Sequence, residues 1–383
     1  MSTLAATNLK HASSASNNIV LDSSGNATFA GTAVPASSFL RNRIINGDMR
    51  IDQRNAGASV TINTLSGSYT LDRWFATGKA SAGVFTVQRL SASAPAGFTN
   101  YLACTTTTSA TPGSTDAYVI GQFIEGFNVA DLAWGSASAQ TVTLSFRVYS
   151  SLTGTFGGSV ANNAANRCYP FSFSIGSANT WTTISVTIPG DTSGTWTTDN
   201  TAGLKLYLDL GSGSSLRGTA GAWGSTFYTG VTSAVNVIST NGATFYITGV
   251  QLEVGTAATP FERRQYGQEL ALCQRYFEKS YNQSDALGAV TTAGRRMSIA
   301  FNTGDFFDVG SVKLSVTKRT SATITLYSPA TGASGKLYNY SGSADVNGAV
   351  GSAGETAFLT TGTGGSLAAN SFYGWHFAAS AEL

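Results

Sequence analysis

The chain has 383 residues, of which only 11% are charged, and its formal net charge is +2. An average soluble domain has about 25% charged residues, and no basic run is longer than pairs such as Arg263-Arg264, so a nucleic-acid-binding surface is not expected. An aromatic content of 11% excludes a disordered chain, and 43 glycines favour tight turns between short strands.

Cysteine spacing bears on metal and cofactor binding, and hydropathy bears on secretion and membrane insertion. Cys104, Cys168 and Cys273 are far apart and have no CxxC or CxH spacing, so neither a zinc site nor another cofactor is expected. Residues 1–16 lack the apolar centre of a secretion signal, and no run reaches the ~18 apolar residues of a membrane helix. We therefore expect a protein that is made in a cytoplasm and does not insert into a membrane.

Residues 1–40 are rich in Ser, Ala and Asn and predict an N-terminal arm with little core. Within it, residues 19–21 and 27–29 flank a Gly-Asn turn and predict a small hairpin. Two strands are not stable alone in water. The arm is therefore either a disordered tail or a segment that gains order by trimerising or by docking on a larger assembly. The apolar residues available for such docking are Ile19, Leu21 and Phe29.

The alternating pattern in residues 41–262 predicts a large antiparallel β-sandwich of the jelly-roll type. In one segment Val142, Leu144 and Phe146 share a face and alternate with polar residues, as in a half-buried strand. About ten such strands joined by Gly/Ser/Asn turns are typical of a jelly roll. The predicted strands are 43–51, 69–76, 85–90, 101–107, 118–127, 141–149, 169–175, 181–188, 204–210 and 245–254.

A long Gly-rich segment, 211–243, interrupts the rhythm of these strands. It contains Trp223, Phe227 and Tyr228. Long ordered loops are often functional, and aromatic rings can stack on the apolar faces of sugars. These rings either bind a glycan weakly or close the open end of the sandwich.

Residues 263–282 predict the one clear helix, which links the two β domains and extends from about Arg264 to Tyr281. Tyr266, Leu270, Cys273 and Phe277 recur with heptad-type spacing. So short a helix needs a packing partner. That partner is either the flank of its own sandwich or copies of itself around a threefold axis, and we favour the second arrangement.

Residues 283–383 predict a second, smaller β-sandwich. Their short alternating segments end in a well-patterned terminal strand rather than a frayed tail. The predicted strands are 286–292, 296–301, 312–316, 323–327, 336–340, 344–350, 357–361 and 372–381. The fold class predicted for the whole chain is all-β.

No catalytic residues are predicted. The two histidines, His11 and His376, have no GxSxG elbow or second triad member nearby in sequence. The carboxylates are isolated, and Asp72, before Arg73 and Trp74, is interpreted as a paired structural carboxylate. A calcium ion could bind at a sandwich edge, but no calcium-loop motif supports one.

Two sets of motifs resemble the distal region of tailed-bacteriophage fibre proteins. The first is IINGDMRIDQR at 44–54 with YTLDRW at 69–74, and it also resembles the entry strand of carbohydrate-binding-module jelly rolls. The second is FYITGVQLEVG at 245–255, TPFERR at 259–264 and ELALCQRYF at 269–277. The N-terminal LDSSGNATFAG is similar to segments that join fibres to the particle, and the terminal YGWHFAASAEL resembles the closing strand of fibre tip domains.

The resemblance implies a homotrimeric virion fibre, or receptor-binding protein, that adsorbs to a glycan or protein on the host surface. It also implies that the N-terminal arm docks on other tail or head proteins of the virion. The alternative is a purely structural virion component, such as a head fibre, tail adaptor or decoration protein. A polysaccharide depolymerase and a secreted bacterial lectin are further hypotheses.

Overall fold

The computed structural model describes residues 7–10, 12, 17, 19–21, 27–29, 32–34, 41–63, 67–78, 83–300, 303, 312–363 and 367–383. Nearly all regular structure in these ranges is β, which confirms the predicted all-β class. The α-helix found there, α1, spans Tyr266–Gln274. No helix in the described ranges is long and apolar enough to cross a membrane.

Near the N-terminus, the described residues include four short strands, which form an antiparallel sheet in sequential order. They are β1 (Asn8–Leu9), β2 (Ile19–Leu21), β3 (Ala27–Phe29) and β4 (Thr32–Val34). The predicted hairpin is β2 with β3, in which Ile19 is opposite Phe29. Leu21 is 40% exposed, whereas the turn at 22–26 and the side chain of Phe29 lie outside the described part of the chain.

Fourteen strands follow in the described residues between 60 and 254. They are β5 (Val60–Ile62), β6 (Ser68–Leu71), β7 (Trp74–Thr77), β8 (Val84–Leu90), β9 (Tyr101–Thr108), β10 (Val119–Glu125), β11 (Val142–Ser150), β12 (Gly154–Ala161), β13 (Cys168–Ile175), β14 (Thr182–Ile188), β15 (Ala202–Asp209), β16 (Arg217–Gly218), β17 (Gly230–Val231) and β18 (Thr244–Val254). Short 3₁₀ helices occupy Gly126–Asn128, Ala130–Leu132, Ser214–Leu216 and Val237–Ser239.

Twelve of these strands build two six-stranded antiparallel sheets. The front sheet has the order β14-β11-β18-β9-β8-β5, and the back sheet has the order β13-β12-β15-β10-β7-β6. Residues of both sheets form one apolar cluster, which includes Phe146 and Phe245 of the front sheet and Trp74 and Phe171 of the back sheet. The two sheets are therefore the layers of a sandwich around a shared core.

The predicted strand at 43–51 is wrong. Its apolar residues are buried as expected, but Asn46 and Met49 have positive φ angles, 56° and 60°. The Asn46 amide replaces a strand partner, because its Nδ2 donates to the carbonyl oxygen of Ile51 (2.8 Å) and its Oδ1 accepts from the Ile51 N–H (2.9 Å). The Asn46 side-chain amide thus supplies hydrogen bonds to buried backbone groups that are not in a strand. The spacing of apolar residues cannot show such an arrangement.

The predicted single strand at 69–76 is a tight hairpin of β6 and β7, with Arg73 in the turn at φ 70°. The strand β12 was missed in the sequence. Its Gly157 and Gly158 lie where an added Cβ would meet the Val231 backbone nitrogen at 2.9 Å and the Tyr207 carbonyl oxygen at 2.4 Å. Close packing, rather than flexibility, explains these glycines.

The helix is also shorter than predicted. After Gln274 the chain turns, and Phe277–Lys279 forms strand β19, which pairs with residues 378–380. Cross-strand hydrogen bonds replace the helical ones in this segment, so tertiary pairing overrides the heptad-type pattern.

The C-terminal strands form one sheet around their own core. They are β19, β20 (Arg296–Ala300), β21 (Val312–Lys313), β22 (Thr323–Tyr327), β23 (Lys336–Asn339), β24 (Ala344–Ala353), β25 (Ala357–Gly362) and β26 (Ser371–Ser380). The last strand, β26, is central because it pairs with β19, β20, β22 and β23. No strand forms at the predicted 286–292.

Candidate ligand-binding groove

A groove of about 810 Å³ lies on the outer face of the front sheet. The outer face is identified by β11, in which Val142, Leu144, Phe146 and Val148 enter the core, so that the alternate residues point away from it. The groove is lined by Ala96, Phe98, Ser145, Phe146, Arg147, Thr183, Gly249, Ala257, Ala258, Thr259, Pro260, Phe261 and Arg263.

The floor of the groove is shaped by a bulge between β11 and β18. Ser145 is opposite Gln251 and Arg147 is opposite Thr248, so β18 carries an extra residue between these pairs. Gly249 occupies the bulge with φ 64°, and a Cβ there would be 2.5 Å from the Phe98 ring. Glycine at this position thus lets the Phe98 ring lie against the sheet.

One wall of the groove is the segment that follows β18, and a buried carboxylate holds it in place. Glu253 is 1% exposed, and its oxygens accept hydrogen bonds from the Thr259 N–H (2.8 Å) and hydroxyl (2.6 Å). Arg41 contacts this carboxylate at 3.4 Å and donates to the Pro260 carbonyl oxygen at 2.7 Å. These charge-assisted bonds give the wall a defined position before any ligand binds.

Two guanidinium groups line the groove. Half-buried Arg147, on the floor, donates to the Thr183 hydroxyl. Exposed Arg263, on the wall, donates to the Gly97 carbonyl oxygen and lies 4.9 Å from the Phe98 ring centre and 5.8 Å from that of Phe261. Ring stacking of this kind restricts a guanidinium while leaving N–H donors for a ligand.

An aromatic strip lies on the same face of the front sheet, across three neighbouring strands and the residue that precedes a fourth. Tyr149 of β11 and Tyr246 of β18 form a registered pair with ring centres 5.0 Å apart and planes within 6°. Tyr101 of β9 is 5.1 Å from Tyr246, and Trp181, just before β14, is 5.4 Å from Tyr101. Tyr149, Tyr246 and Trp181 are half-buried, so each ring keeps solvent-facing surface.

The orientation of the strip is fixed by hydrogen bonds to one turn. The Trp181 indole N–H donates to the Ser93 carbonyl oxygen at 3.0 Å, and the Tyr101 hydroxyl donates to the Ala92 carbonyl oxygen at 2.8 Å. Burial raises the pKa of Tyr101. Because Tyr149 is two residues from Arg147 on the same face of β11, the strip and the groove are adjacent.

The three aromatic residues predicted on the 211–243 loop do not form one platform. Trp223 packs on the main core, 5.3 Å from Trp134 and 5.6 Å from Trp196, and its indole N–H donates to the Pro189 carbonyl oxygen. Phe227 and Tyr228 pack on a separate cluster that includes Tyr207 of the back sheet. All three are half-buried, and their role in ligand binding stays a prediction.

The residues predicted for self-association are largely covered by their own chain. Cys273 and Phe277 are 0% and 2% exposed. Cys273 packs with Ile45 and Ile51, and the Arg54 guanidinium lies 3.8 Å from the Phe277 ring centre. Leu270 is half-buried and Tyr266 is 45% exposed. Contacts between copies through Cys273 or Phe277 therefore do not fit their burial, and the trimer stays a prediction.

His376 is buried and hydrogen-bonded on both ring nitrogens. Its Nε2 lies 3.0 Å from the Thr291 carbonyl oxygen and therefore donates, so its Nδ1 accepts from the Ser280 hydroxyl at 3.0 Å. Burial lowers the pKa of His376, and its ring stacks on Tyr281 at 3.8 Å. Within the described residues, no three His, Cys, Asp or Glu side chains come together as metal ligands would.

Sequence reasoning missed the groove. The alternation of Val142, Leu144 and Phe146 with polar residues puts Arg147 on the outer face, and the same rule extends to Tyr149 and Tyr246. No sequence signal brings Phe98 and Arg263 to these residues, because they come from segments far apart in the chain.

Comparison with models of protein families gives no match, and neither does comparison with curated protein sequences. Among solved structures, a putative sugar-binding protein from Bacteroides thetaiotaomicron matches with TM-score 0.34 and 14% identity over 56% of this chain and 100% of its own. A family 11 carbohydrate-binding module from Clostridium thermocellum matches with TM-score 0.27 and 12% identity over 53% of this chain and 99% of its own.

The enzymatically active domain of tailspike protein 4 from bacteriophage CBA120 matches with TM-score 0.29 and 13% identity over 56% of this chain. This chain covers 21% of that protein. At these identities and TM-scores, the similarities establish neither a family nor a ligand for the chain.

Proposed function

We propose that the protein binds a cell-surface glycan in the groove of the front sheet. The observation that carries the proposal is the combination, on one face, of a groove of about 810 Å³ with two guanidinium groups and an adjoining strip of tyrosine and tryptophan rings. Aromatic rings offer apolar surface to sugar C–H faces, and guanidinium N–H groups donate to sugar oxygens.

The biological role that we propose is attachment of a bacteriophage to its host, as a virion fibre or receptor-binding protein. This step rests on the resemblance of the 44–54 and 245–277 motifs to phage fibre proteins. The N-terminal arm, with Ile19 and Leu21, would dock on other virion proteins. In a homotrimer, three weak glycan sites would hold a particle through avidity.

A glycan array tests the binding role directly. We expect Arg147→Ala and Tyr149→Ala to reduce binding at least about tenfold, since the first removes a contact in the groove and the second one in the adjoining aromatic strip. Trp223→Ala and Tyr228→Ala test the 211–243 loop; assayed as folded proteins, they should bind as the unmodified protein does. Loss of binding in these loop variants, with the groove variants unaffected, would move the site to the 211–243 loop.

Three further measurements address the biological role. A virus lacking this protein should adsorb poorly to its host, and normal adsorption would favour a purely structural virion component. Mass photometry should give the trimer mass at micromolar concentration. We propose a non-enzymatic role, so release of reducing ends from host polysaccharide would contradict it.

A further inference from the structure

Among the described residues, the charges that line the groove are all positive. Arg147 and Arg263 both line it, and no Asp or Glu is found in this lining. Glu253, the carboxylate behind the wall, is already bound by Thr259 and Arg41. The neighbouring Glu262 accepts from the Asn42 N–H at 2.7 Å and lies 3.7 Å from Arg264. The groove is therefore a local cationic site in a protein whose net charge is only +2.

Several arginines elsewhere in this fold are paired with carboxylates. Arg73 pairs with Glu382, Arg167 with Asp191 at 2.6 Å and Arg275 with Glu125 at 2.5 Å. In contrast, no carboxylate of the described residues lies within 4 Å of the Arg147 or Arg263 guanidinium. Within the part of the chain that the structure describes, these two guanidinium groups therefore have no carboxylate partner.

The two guanidinium groups are also held in position. Arg263 is stacked over Phe98 and bonded to the Gly97 carbonyl oxygen, and Arg147 is bonded to the Thr183 hydroxyl. A planar guanidinium fork matches the two oxygens of a carboxylate or the oxygens of a phosphate, and prior restraint lowers the entropic cost of that pairing.

We infer that the ligand of the groove is an anionic glycan, whose carboxylate or phosphate group binds between Arg147 and Arg263 while a neighbouring sugar ring packs on Tyr149 and Tyr246. This inference rests on the proposed function and names its ligand class. A uronic-acid polysaccharide and a phosphorylated one share the recognised chemistry, an oxyanion on a sugar chain.

The experiment uses the full chain and matched probes on one array. The probes are an oligosaccharide of alternating glucuronic acid and N-acetylglucosamine, the same oligosaccharide with its carboxyl groups reduced to alcohols, and the reduced form carrying a phosphate monoester. We expect the carboxylated or the phosphorylated probe to bind at least about tenfold more tightly than the neutral one, and the stronger of the two identifies the source of the oxyanion. Raising the salt concentration should reduce this preference.

Variants separate the charge effect from general binding. Arg147→Gln and Arg263→Gln should each reduce the preference for the acidic probe by about tenfold while retaining neutral binding. Tyr149→Ala should weaken acidic and neutral probes alike. Arg295→Gln, beside Tyr340 in the C-terminal sheet, is the matched control and should behave as the unmodified protein.

The outcomes distinguish the inference from the proposed function. Equal binding of the acidic and neutral probes, unchanged in the arginine variants, would overturn the anionic ligand and leave glycan binding in place. Binding of no glycan on the array by the folded protein would overturn both.

Discussion

Asp72 is a carboxyl group with no solvent exposure, at the junction between the sandwich and the helix. It accepts hydrogen bonds from the Gln53 backbone N–H (2.6 Å) and Nε2 (2.9 Å). Burial raises the pKa of Asp72 to about 6, although the nearby Arg54 charge opposes the rise. The folded protein therefore favours the protonated form more than the unfolded chain does.

This pKa predicts how stability changes with pH. Because the folded-state pKa is above the unfolded value, the contribution of Asp72 is fully present below about pH 4 and is lost as pH rises through about 6, by about 3 kcal/mol at most. Asp72→Asn should not show this loss. Between pH 4 and 7, the unfolding free energy of the variant should therefore rise relative to that of the wild type. Denaturant titrations at each pH measure it.

The comparison with wild type also controls for His376. Its lowered pKa acts in the opposite direction, since stability falls as pH drops below about 6.5, the unfolded value. Both proteins share that effect, so it cancels in the difference. Parallel stability curves for wild type and Asp72→Asn would contradict the raised pKa of Asp72.

At the residue scale, the sequence indicated the chemical role of a side chain better than the residue with which it pairs. Asp72 was predicted to be a paired structural carboxylate, and it is buried and hydrogen-bonded. Its partner, however, is Gln53, whereas the adjacent Arg73 pairs with Glu382, 309 residues away. Charge and hydropathy indicate that a buried charged side chain needs a partner, but the tertiary fold determines which residue that partner is.

At the element scale, the bulge in β18 depends on Gly249. Alanine at φ 64° costs about 1–2 kcal/mol of stability. Its Cβ would lie 2.5 Å from the Phe98 ring, and the displacement of that ring adds about 1–3 kcal/mol. We expect Gly249→Ala to lower the unfolding free energy by about 2–4 kcal/mol and to weaken glycan binding, because Phe98 lines the groove. Denaturant unfolding and the glycan array measure the two effects.

Gly242 supplies the matched control for this prediction. It has φ 75°, but no atom lies within 4 Å of an added Cβ. Gly242→Ala should therefore show only the backbone cost of about 1–2 kcal/mol and leave ligand binding intact. Equal destabilisation by the two variants would mean that the Phe98 contact has no role in shaping the groove floor.

Strands with alternating patterns were the most predictable elements. β8, β11 and β22 agree with their predicted ranges within about one or two residues, because alternation reports one buried face. The predicted helix was too long because Cys273 and Phe277 are buried in different elements, although their spacing fits one helix. Cys273 packs from the helix, whereas Phe277 packs from a strand that β26 pairs with.

At the scale of the whole molecule, the sequence predicted two β regions but not the groove. Each strand carries its own hydropathy signal, so the architecture could be inferred segment by segment. The groove joins residues near 98, 147, 183 and 261, and its positive character follows from which carboxylates are already paired. Both properties depend on contacts between distant segments.

A buried ionic cluster connects the sandwich to the C-terminal sheet. The Arg73 guanidinium is 1% exposed and donates to Glu382, which also contacts Arg54 at 2.8 Å. Arg319 reinforces the connection, because it donates to the carbonyl oxygens of Asn200 (2.7 Å) and Glu382 (2.7 Å). Loss of the Glu382 charge would leave Arg73 buried without its counter-ion.

We therefore predict that Glu382→Gln lowers stability by about 3–5 kcal/mol, the usual cost of breaking a buried ion pair from one side. Asp131→Asn is the control, because Asp131 pairs with Arg43 at an exposed position (57% for its side chain) and should cost less than about 1 kcal/mol. In calorimetry we expect one unfolding transition for wild type and two for Glu382→Gln, since two predicted domains would then unfold separately. A single transition at an unchanged temperature would show that this ion pair does not couple the two β regions.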